Sequence, residues 1–147
     1  PLLLGGVPGG LAGAIGMGIG DLLDPVYVTV APKTLILKMG IGLVTGLLAH
    51  KVFRINEKSG ADLKKGVILS TTGGMVFNMI GEPVFSYVYY LIILGNAEKA
   101  AGYLAVAKFV TTGINAVLAI IIASALYLAM YPRLKNNGVL KKIAPKY

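Results

Sequence analysis

GDLLDPVYVTVAPKTLILK, from Gly20 to Lys38, is the stretch around which the predicted fold is arranged. It places two aspartates, two prolines, a tyrosine, two threonines and two lysines between runs of Gly, Leu, Ile and Val. A continuous membrane helix rarely contains such a segment, because each charged side chain inside a bilayer carries a free-energy cost. We therefore interpret residues 21–34 as a polar lid between two membrane-spanning helices.

The composition is typical of an integral membrane protein. Hydrophobic residues make up 56% of the 147 residues and charged residues only 14%, and the mean hydropathy is +0.76. In soluble domains, about a quarter of the residues are charged. A span needs about 20 apolar residues, so the chain is long enough for four or five of them. We predict one transmembrane domain, residues 1–147.

The apolar runs predict four spans, at about 7–23, 35–53, 67–94 and 103–131. The third passes through Gly81-Glu82-Pro83, where proline removes a backbone donor, so we expect one kinked helix there. Pro132 is expected to end the fourth span. Because the chain opens on the apolar run that follows Pro1, we interpret that run as the end of an earlier helix and expect further sequence before it.

Small residues recur at helical spacing in the first two spans. In a bilayer such spacings allow helix backbones to approach closely. We expect two close-packing faces, formed by Gly5/Gly9/Gly13 with Gly16/Gly20 and by Gly40, Gly42 and Gly46.

The positions of the basic residues predict the orientation. Ten of the 14 Lys and Arg residues lie in the loop 51–66 or in the tail 132–147. Basic loops beside membrane spans usually face the cytoplasm. The loop and the C-terminal tail are therefore expected in the cytoplasm and the lid outside, and the net charge of +8 does not indicate a nucleic-acid partner.

Polar residues inside the spans are the candidates for a functional site. Glu82 is the clearest, and Asn78 lies one turn before it on the same helical face. Asn115 lies in the last span and Lys38 in the second. Structural alternatives stay open: Lys38 can extend to the interface, the asparagines can join helices, and Glu82 can form an ion pair with Lys38 or Lys108.

The sequence does not indicate an enzyme. It has no cysteine and one histidine, and it contains no HExxH, GxSxG or Walker motif. We predict neither a cofactor nor a metal. Polar groups near one membrane face, covered by a lid, are typical of a binding site for a small polar molecule.

The order of these features resembles the substrate-binding S components of energy-coupling factor (ECF) vitamin transporters. The resemblance rests on the Gly-rich span ending in Gly20-Asp21-Leu22-Leu23, the segment 27–34 leading to Lys38, the basic turn after the next span, Glu82 and Asn115. It implies an all-α six-helix membrane bundle of which helices three to six and the end of helix two are present.

The resemblance also implies a function. Such a protein binds a vitamin with high affinity at the plasma membrane and joins a transmembrane coupling subunit (EcfT-like) and two cytoplasmic ATPase subunits. It looks most like members that handle hydroxymethylpyrimidine or pyridoxine, with pantothenate as the runner-up substrate. The implied substrate-binding residues are Tyr27, Lys33, Lys38, Asn78, Glu82, Tyr87 and Asn115.

Two functions of other classes remain open from the residues alone. One is an ion-coupled secondary carrier with Glu82 as the proton site, although the halves of the chain show no inverted repeat. The other is a structural subunit of a membrane complex, in which Glu82 only forms an ion pair.

Overall fold

A computed structural model describes residues 1–143, so the end of the predicted tail, 144–147, lies outside the described residues. The described part is helical and contains no strand. Its helices are α1 (Gly6–Leu23), α2 (Ala31–Leu47), α3 (Gly60–Val88), α4 (Glu98–Asn136) and the short α5 (Val139–Ile143). The prediction of an all-α membrane bundle is confirmed.

Irregular turns extend two of the long helices. A π-helical turn, Leu48–Val52, continues α2, and another, Tyr89–Ile93, continues α3. With these extensions, four helices are long and apolar enough to cross a membrane. One uninterrupted helix, α3, passes through the Gly81-Glu82-Pro83 segment.

The lid is shorter than predicted. Helix α1 continues to Leu23, a 3₁₀ turn occupies Val28–Val30, and α2 begins at Ala31, so only residues 24–27 lie outside helices. Pro32 stands in the first turn of α2, where a missing N–H removes no helical hydrogen bond. Lys33, predicted in the lid, is therefore a helical residue, and it is buried.

The last long helix is longer than predicted. Pro132 was expected to end it, but α4 continues through this residue to Asn136. A proline removes one backbone hydrogen bond and restricts the preceding residue, without fixing the conformation of the residues after it. The helix ends at Asn136, and Gly138, whose φ is 67°, adopts the left-handed conformation that commonly terminates helices.

Between α1 and α2, close helix packing uses Gly6 and Gly10 of α1, while the predicted Gly9 lies against the backbone of Pro1. A Cβ atom at Gly42 would overlap the backbone of Gly10, and one at Gly46 would overlap the backbone of Gly6. On α2 the prediction therefore agrees with the structure at these two positions. On α1, a Cβ at Gly16 or Gly20 would meet no other atom within 4 Å, so the expectation of close packing there was wrong.

The long helices pack in sequence order, α1 on α2, α2 on α3 and α3 on α4. A buried cluster that includes Ala49, Ile55, Leu63 and Tyr131 joins the end of α2, the start of α3 and the end of α4. We call this end of the bundle the basic end. At the opposite end, which we call the lid end, Val30, Tyr90 and Ala101 form a second cluster.

Candidate functional site

A cavity of about 650 Å³ lies among the four long helices. Its volume falls within the range of about 300–1,000 Å³ that is usual for small-molecule sites. Each helix lines it with side chains three or four positions apart, which project from one helical face. On α3 these residues are Thr71, Met75, Asn78 and Glu82, and on α4 they include Lys108, Thr112, Asn115 and Ala119.

A buried ion pair crosses the cavity wall at the lid end. The Lys33 ammonium lies 2.5 Å from Glu82 Oε1, and it also donates to Ser86 Oγ at 2.8 Å. The side chains of Lys33 and Glu82 are 2% and 10% exposed. Breaking such a pair leaves an uncompensated buried charge, so the contact holds the start of α2 against α3.

Glu82 forms an ion pair with a lysine that the sequence analysis did not consider for it. The structural alternative named Lys38 or Lys108 as its partner, but Lys33 forms the pair. The side chain of Lys33 is buried because the helix begins two residues earlier, at Ala31. Lys38 and Lys108 line the same cavity, and neither forms an ion pair with a carboxylate of the described residues.

Asn78 has an unused hydrogen-bond acceptor at the cavity. The residue is 6% exposed and lies one helical turn from Glu82 on the lining face of α3. Its Oδ1 atom has no hydrogen-bond partner within residues 1–143. Because a buried polar atom without a partner costs about 1–3 kcal/mol, this oxygen is poised to accept a hydrogen bond from a bound molecule.

Lysine and tyrosine side chains lie at the mouth of the cavity. The ammonium of Lys108, from α4, lies 5.4 Å from the centroid of the Tyr27 ring. This distance is within the range of a cation–π interaction. The contact connects the non-helical residues 24–27 to α4, while Asp21 lines the cavity from α1.

The structure brings together six of the seven predicted site residues. Tyr27, Lys33, Lys38, Asn78, Glu82 and Asn115 all line the cavity. Tyr87 does not lie among the lining residues. It packs instead against the buried cluster of Val30, Tyr90 and Ala101, because its position on α3 turns it away from the face that carries Asn78 and Glu82.

Several lining residues were not in the predicted site. Thr45 and Thr71 are both buried and line the cavity towards the basic end. Met17, on α1, and Met75, on α3, add apolar lining. The four-residue spacing from Thr71 to Met75, and the spacing from Asn78 to Glu82, could have identified the α3 residues once one face was assigned to the cavity.

The chemistry of the lining is that of a binding site. It offers ammonium donors, carboxylate and amide acceptors, and threonine hydroxyl groups beside apolar side chains. Within the described part of the chain, His, Cys, Asp and Glu side chains form no group of three that could hold a metal ion. Such a lining can hold a small molecule with both ring and polar groups.

A cavity that carries buried polar side chains among helices of membrane length is typical of transport proteins, since intramembrane polar sites usually mark substrate pathways. Comparison of the sequence with models of protein families identifies the family. Residues 1–132 match the family model described as ECF-type riboflavin transporter, S component. The chain belongs to this family.

This match confirms the predicted family of ECF S components. S components are substrate-binding subunits of transporters and not enzymes. The finer prediction of a hydroxymethylpyrimidine or pyridoxine subtype is not confirmed, since the matching family is named for riboflavin. Comparisons with curated proteins and with solved structures gave no match.

Proposed function

We propose that this chain binds riboflavin in the cavity and carries it across the plasma membrane, as the substrate-specific subunit of an ATP-driven ECF importer. The observation that carries the proposal is the buried Asn78 acceptor, which has no partner in the described residues and lines a cavity of about 650 Å³. The name of the matching family supports riboflavin as the vitamin.

The cavity lining fits the chemistry of a flavin. Riboflavin combines a flat three-ring system, an imide edge with an N–H between two carbonyl groups, and a chain of hydroxyl groups. The side-chain amide of Asn78 can accept from the imide N–H and donate to a neighbouring carbonyl group. Met17, Ile41 and Met75 offer apolar surface to the rings, since methionine adapts to flat aromatic groups.

Charged groups at the lid end fit the polar chain. Glu82 Oε1 accepts from Lys33 and Ser86, which leaves Oε2 as an acceptor for a ligand hydroxyl group. Lys38 and Lys108 can donate to ligand oxygens, because neither ammonium is used by a carboxylate within residues 1–143. Tyr27 presents a half-exposed ring at the mouth of the cavity.

Hydroxymethylpyrimidine and pyridoxine are the second candidates. Contacts with Glu82, Asn115 and Tyr27 would serve a single ring that carries amine or hydroxyl groups. Such a ligand would fill a smaller part of the cavity and leave more of its lining to water. Pantothenate is less favoured because Lys33 already contacts Glu82, which leaves Lys38 alone of these two lysines to bind its carboxylate.

The proposal includes an orientation and partners. The basic loop 51–66 and the tail from 132 face the cytoplasm, because they hold an excess of Lys and Arg, and the lid end faces outside. A transmembrane coupling subunit and two ATPases complete the importer, and ATP hydrolysis takes place on the ATPases. The family supports this type of assembly.

Equilibrium binding to the purified protein in detergent tests the proposal. Flavin fluorescence should be quenched on binding, and excess hydroxymethylpyrimidine, pyridoxine or pantothenate should not displace the flavin. Displacement by one of these at similar concentration would assign the site to that vitamin. Uptake into proteoliposomes driven by an ion gradient, without ATPases, would support a secondary carrier instead.

A further inference from the structure

We propose that the basic end of the bundle binds the headgroups of anionic phospholipids. Seven cationic side chains of the described residues are exposed there: Lys51, Arg54, Lys64, Lys65, Arg133, Lys135 and Lys142. The acidic residues of the same segments are Glu57 and Asp62, and neither forms an ion pair with a lysine or arginine of the described residues. The surface therefore carries a positive charge that the chain itself does not neutralise.

Tertiary contacts bring these cations to one end of the molecule. Tyr131 Oη, on α4, donates to the carbonyl oxygen of Lys58, in the loop before α3, at 3.0 Å. The Lys135 ammonium lies 5.5 Å from the ring centroid of Tyr131. Cations from the end of α2, the start of α3 and the end of α4 thus form one surface.

Each group of cations lies one helical turn from an exposed aliphatic side chain. In each pair the cation lies nearer the end of the bundle and the apolar residue nearer its centre. The pairs are Lys51 with Leu47, Lys64 with Ile68, Lys65 with Leu69, and Arg133 with Met130. These aliphatic side chains are 44–51% exposed. A phospholipid has the same order of an anionic headgroup followed by apolar chains, so these pairs favour a lipid over a soluble anion or an acidic protein.

The lid end does not have an excess of exposed cations. Its exposed charged residues on α4 are one acid and one base, Glu98 and Lys99. The other lysines near that end are Lys33, which contacts Glu82, and Lys38 and Lys108, which line the cavity. A preference for anionic lipids is therefore expected at the basic end alone.

The backbone conformation of Arg54 is a separate observation that supports a phosphate ligand. Its backbone has φ 45° and ψ 52°, a left-handed conformation that is uncommon and unfavourable for residues other than glycine. This conformation ends the extension of α2 with an exposed guanidinium group. Guanidinium groups bind phosphate through paired hydrogen bonds. Arg54 therefore places the side chain best suited to a phosphodiester at the basic end, in a backbone conformation that is unfavourable for arginine.

Lipid retention tests the proposal. The protein is reconstituted in nanodiscs of equal phosphatidylcholine and phosphatidylglycerol, released into mild detergent, and examined by native mass spectrometry for bound lipid. We expect phosphatidylglycerol to be enriched, and the enrichment to fall as salt screens the charges. Lys65→Gln should reduce it about five-fold, and the triple variant K51Q/K64Q/K65Q more strongly.

Lys99→Gln is the matched control, because it removes one exposed lysine at the other end and should leave the enrichment unchanged. Circular dichroism verifies that the variants keep their helix content. Bound lipid in the bulk ratio, or an equal loss in Lys99→Gln, would overturn the proposal. Unchanged lipid enrichment in the triple variant, with loss of co-purified transporter subunits, would instead assign the surface to a protein partner.

Discussion

Lys33 and Glu82 form a buried ion pair, with 2.5 Å between the ammonium nitrogen and Oε1, between the first turn of α2 and the proline-containing part of α3. Ser86, one turn beyond Glu82, accepts a second hydrogen bond from Lys33. The pair fixes the wall of the cavity at the end where the chain between α1 and α2 covers it. It also orients the Glu82 carboxylate, which is proposed to accept a hydrogen bond from the ligand.

Glu82→Gln should reduce both stability and ligand affinity. It leaves the buried ammonium of Lys33 without a countercharge, which costs about 3–5 kcal/mol in the free energy of unfolding. Loss of a charged acceptor should weaken riboflavin binding about ten-fold or more. Thermal unfolding and flavin fluorescence titration measure the two effects separately.

The double variant K33M/E82L separates the structural role of Glu82 from its role in binding. Replacing a buried ion pair by apolar side chains of similar volume is often neutral for stability, so unfolding should return close to that of the parent protein. Riboflavin affinity should stay low, because the acceptor is still absent. Recovery of both properties would remove Glu82 from the ligand site.

Asn78→Leu should weaken binding without destabilising the protein. The substitution removes a buried oxygen that has no partner in the described structure, so the unfolding free energy of the ligand-free protein should stay the same or rise. Loss of the ligand hydrogen bonds should lower riboflavin affinity by about 1–3 kcal/mol.

Asn56→Leu is the control for Asn78→Leu. Asn56 Oδ1 also lacks a hydrogen-bond partner in residues 1–143, but Asn56 lies at the basic end, where its Nδ2 donates to His50 Nδ1 at 3.1 Å. Its substitution should leave riboflavin affinity unchanged. If Asn78→Leu binds riboflavin like the parent protein, Asn78 is not a ligand contact.

The aromatic ring of Tyr27 should matter more than its hydroxyl group. The ring lies 5.4 Å from the Lys108 ammonium, and an exposed cation–π contact contributes about 0.5–1 kcal/mol. Tyr27→Phe keeps the ring and should keep the affinity for riboflavin. Tyr27→Ala should lower it several-fold, mainly through faster release, as measured by stopped-flow fluorescence. Equal affinities of the two variants would contradict this role.

Gly42→Ala should destabilise the bundle, because the added methyl group would overlap the backbone of Gly10. Forcing extra volume into tight packing costs about 1–3 kcal/mol. Gly16→Ala, on α1, is the matched control, since its Cβ meets no atom within 4 Å and alanine favours a helix. Thermal unfolding should show a lower midpoint for the first variant and an equal or higher one for the second.

The sequence by itself determined the class of fold and much of the site. Apolar runs of span length can form only helices in a bilayer, since each backbone polar group must be satisfied within its own segment. Polar and ionisable residues stand out in such runs because burying them is costly. These two constraints are local, and they were sufficient to identify Glu82, Asn78 and Lys38 as candidates for a common site.

Tertiary structure alone decided which of the candidates meet. Several glycine registers on α1 satisfy the same four-residue spacing, and only packing selected Gly6 and Gly10 to face Gly42 and Gly46. The partner of Glu82 likewise depends on where α2 begins, since a helix starting at Ala31 buries Lys33. The glycine register and the partner of Glu82 depend on contacts between residues distant in the chain. Each segment taken alone is compatible with several registers and several partners.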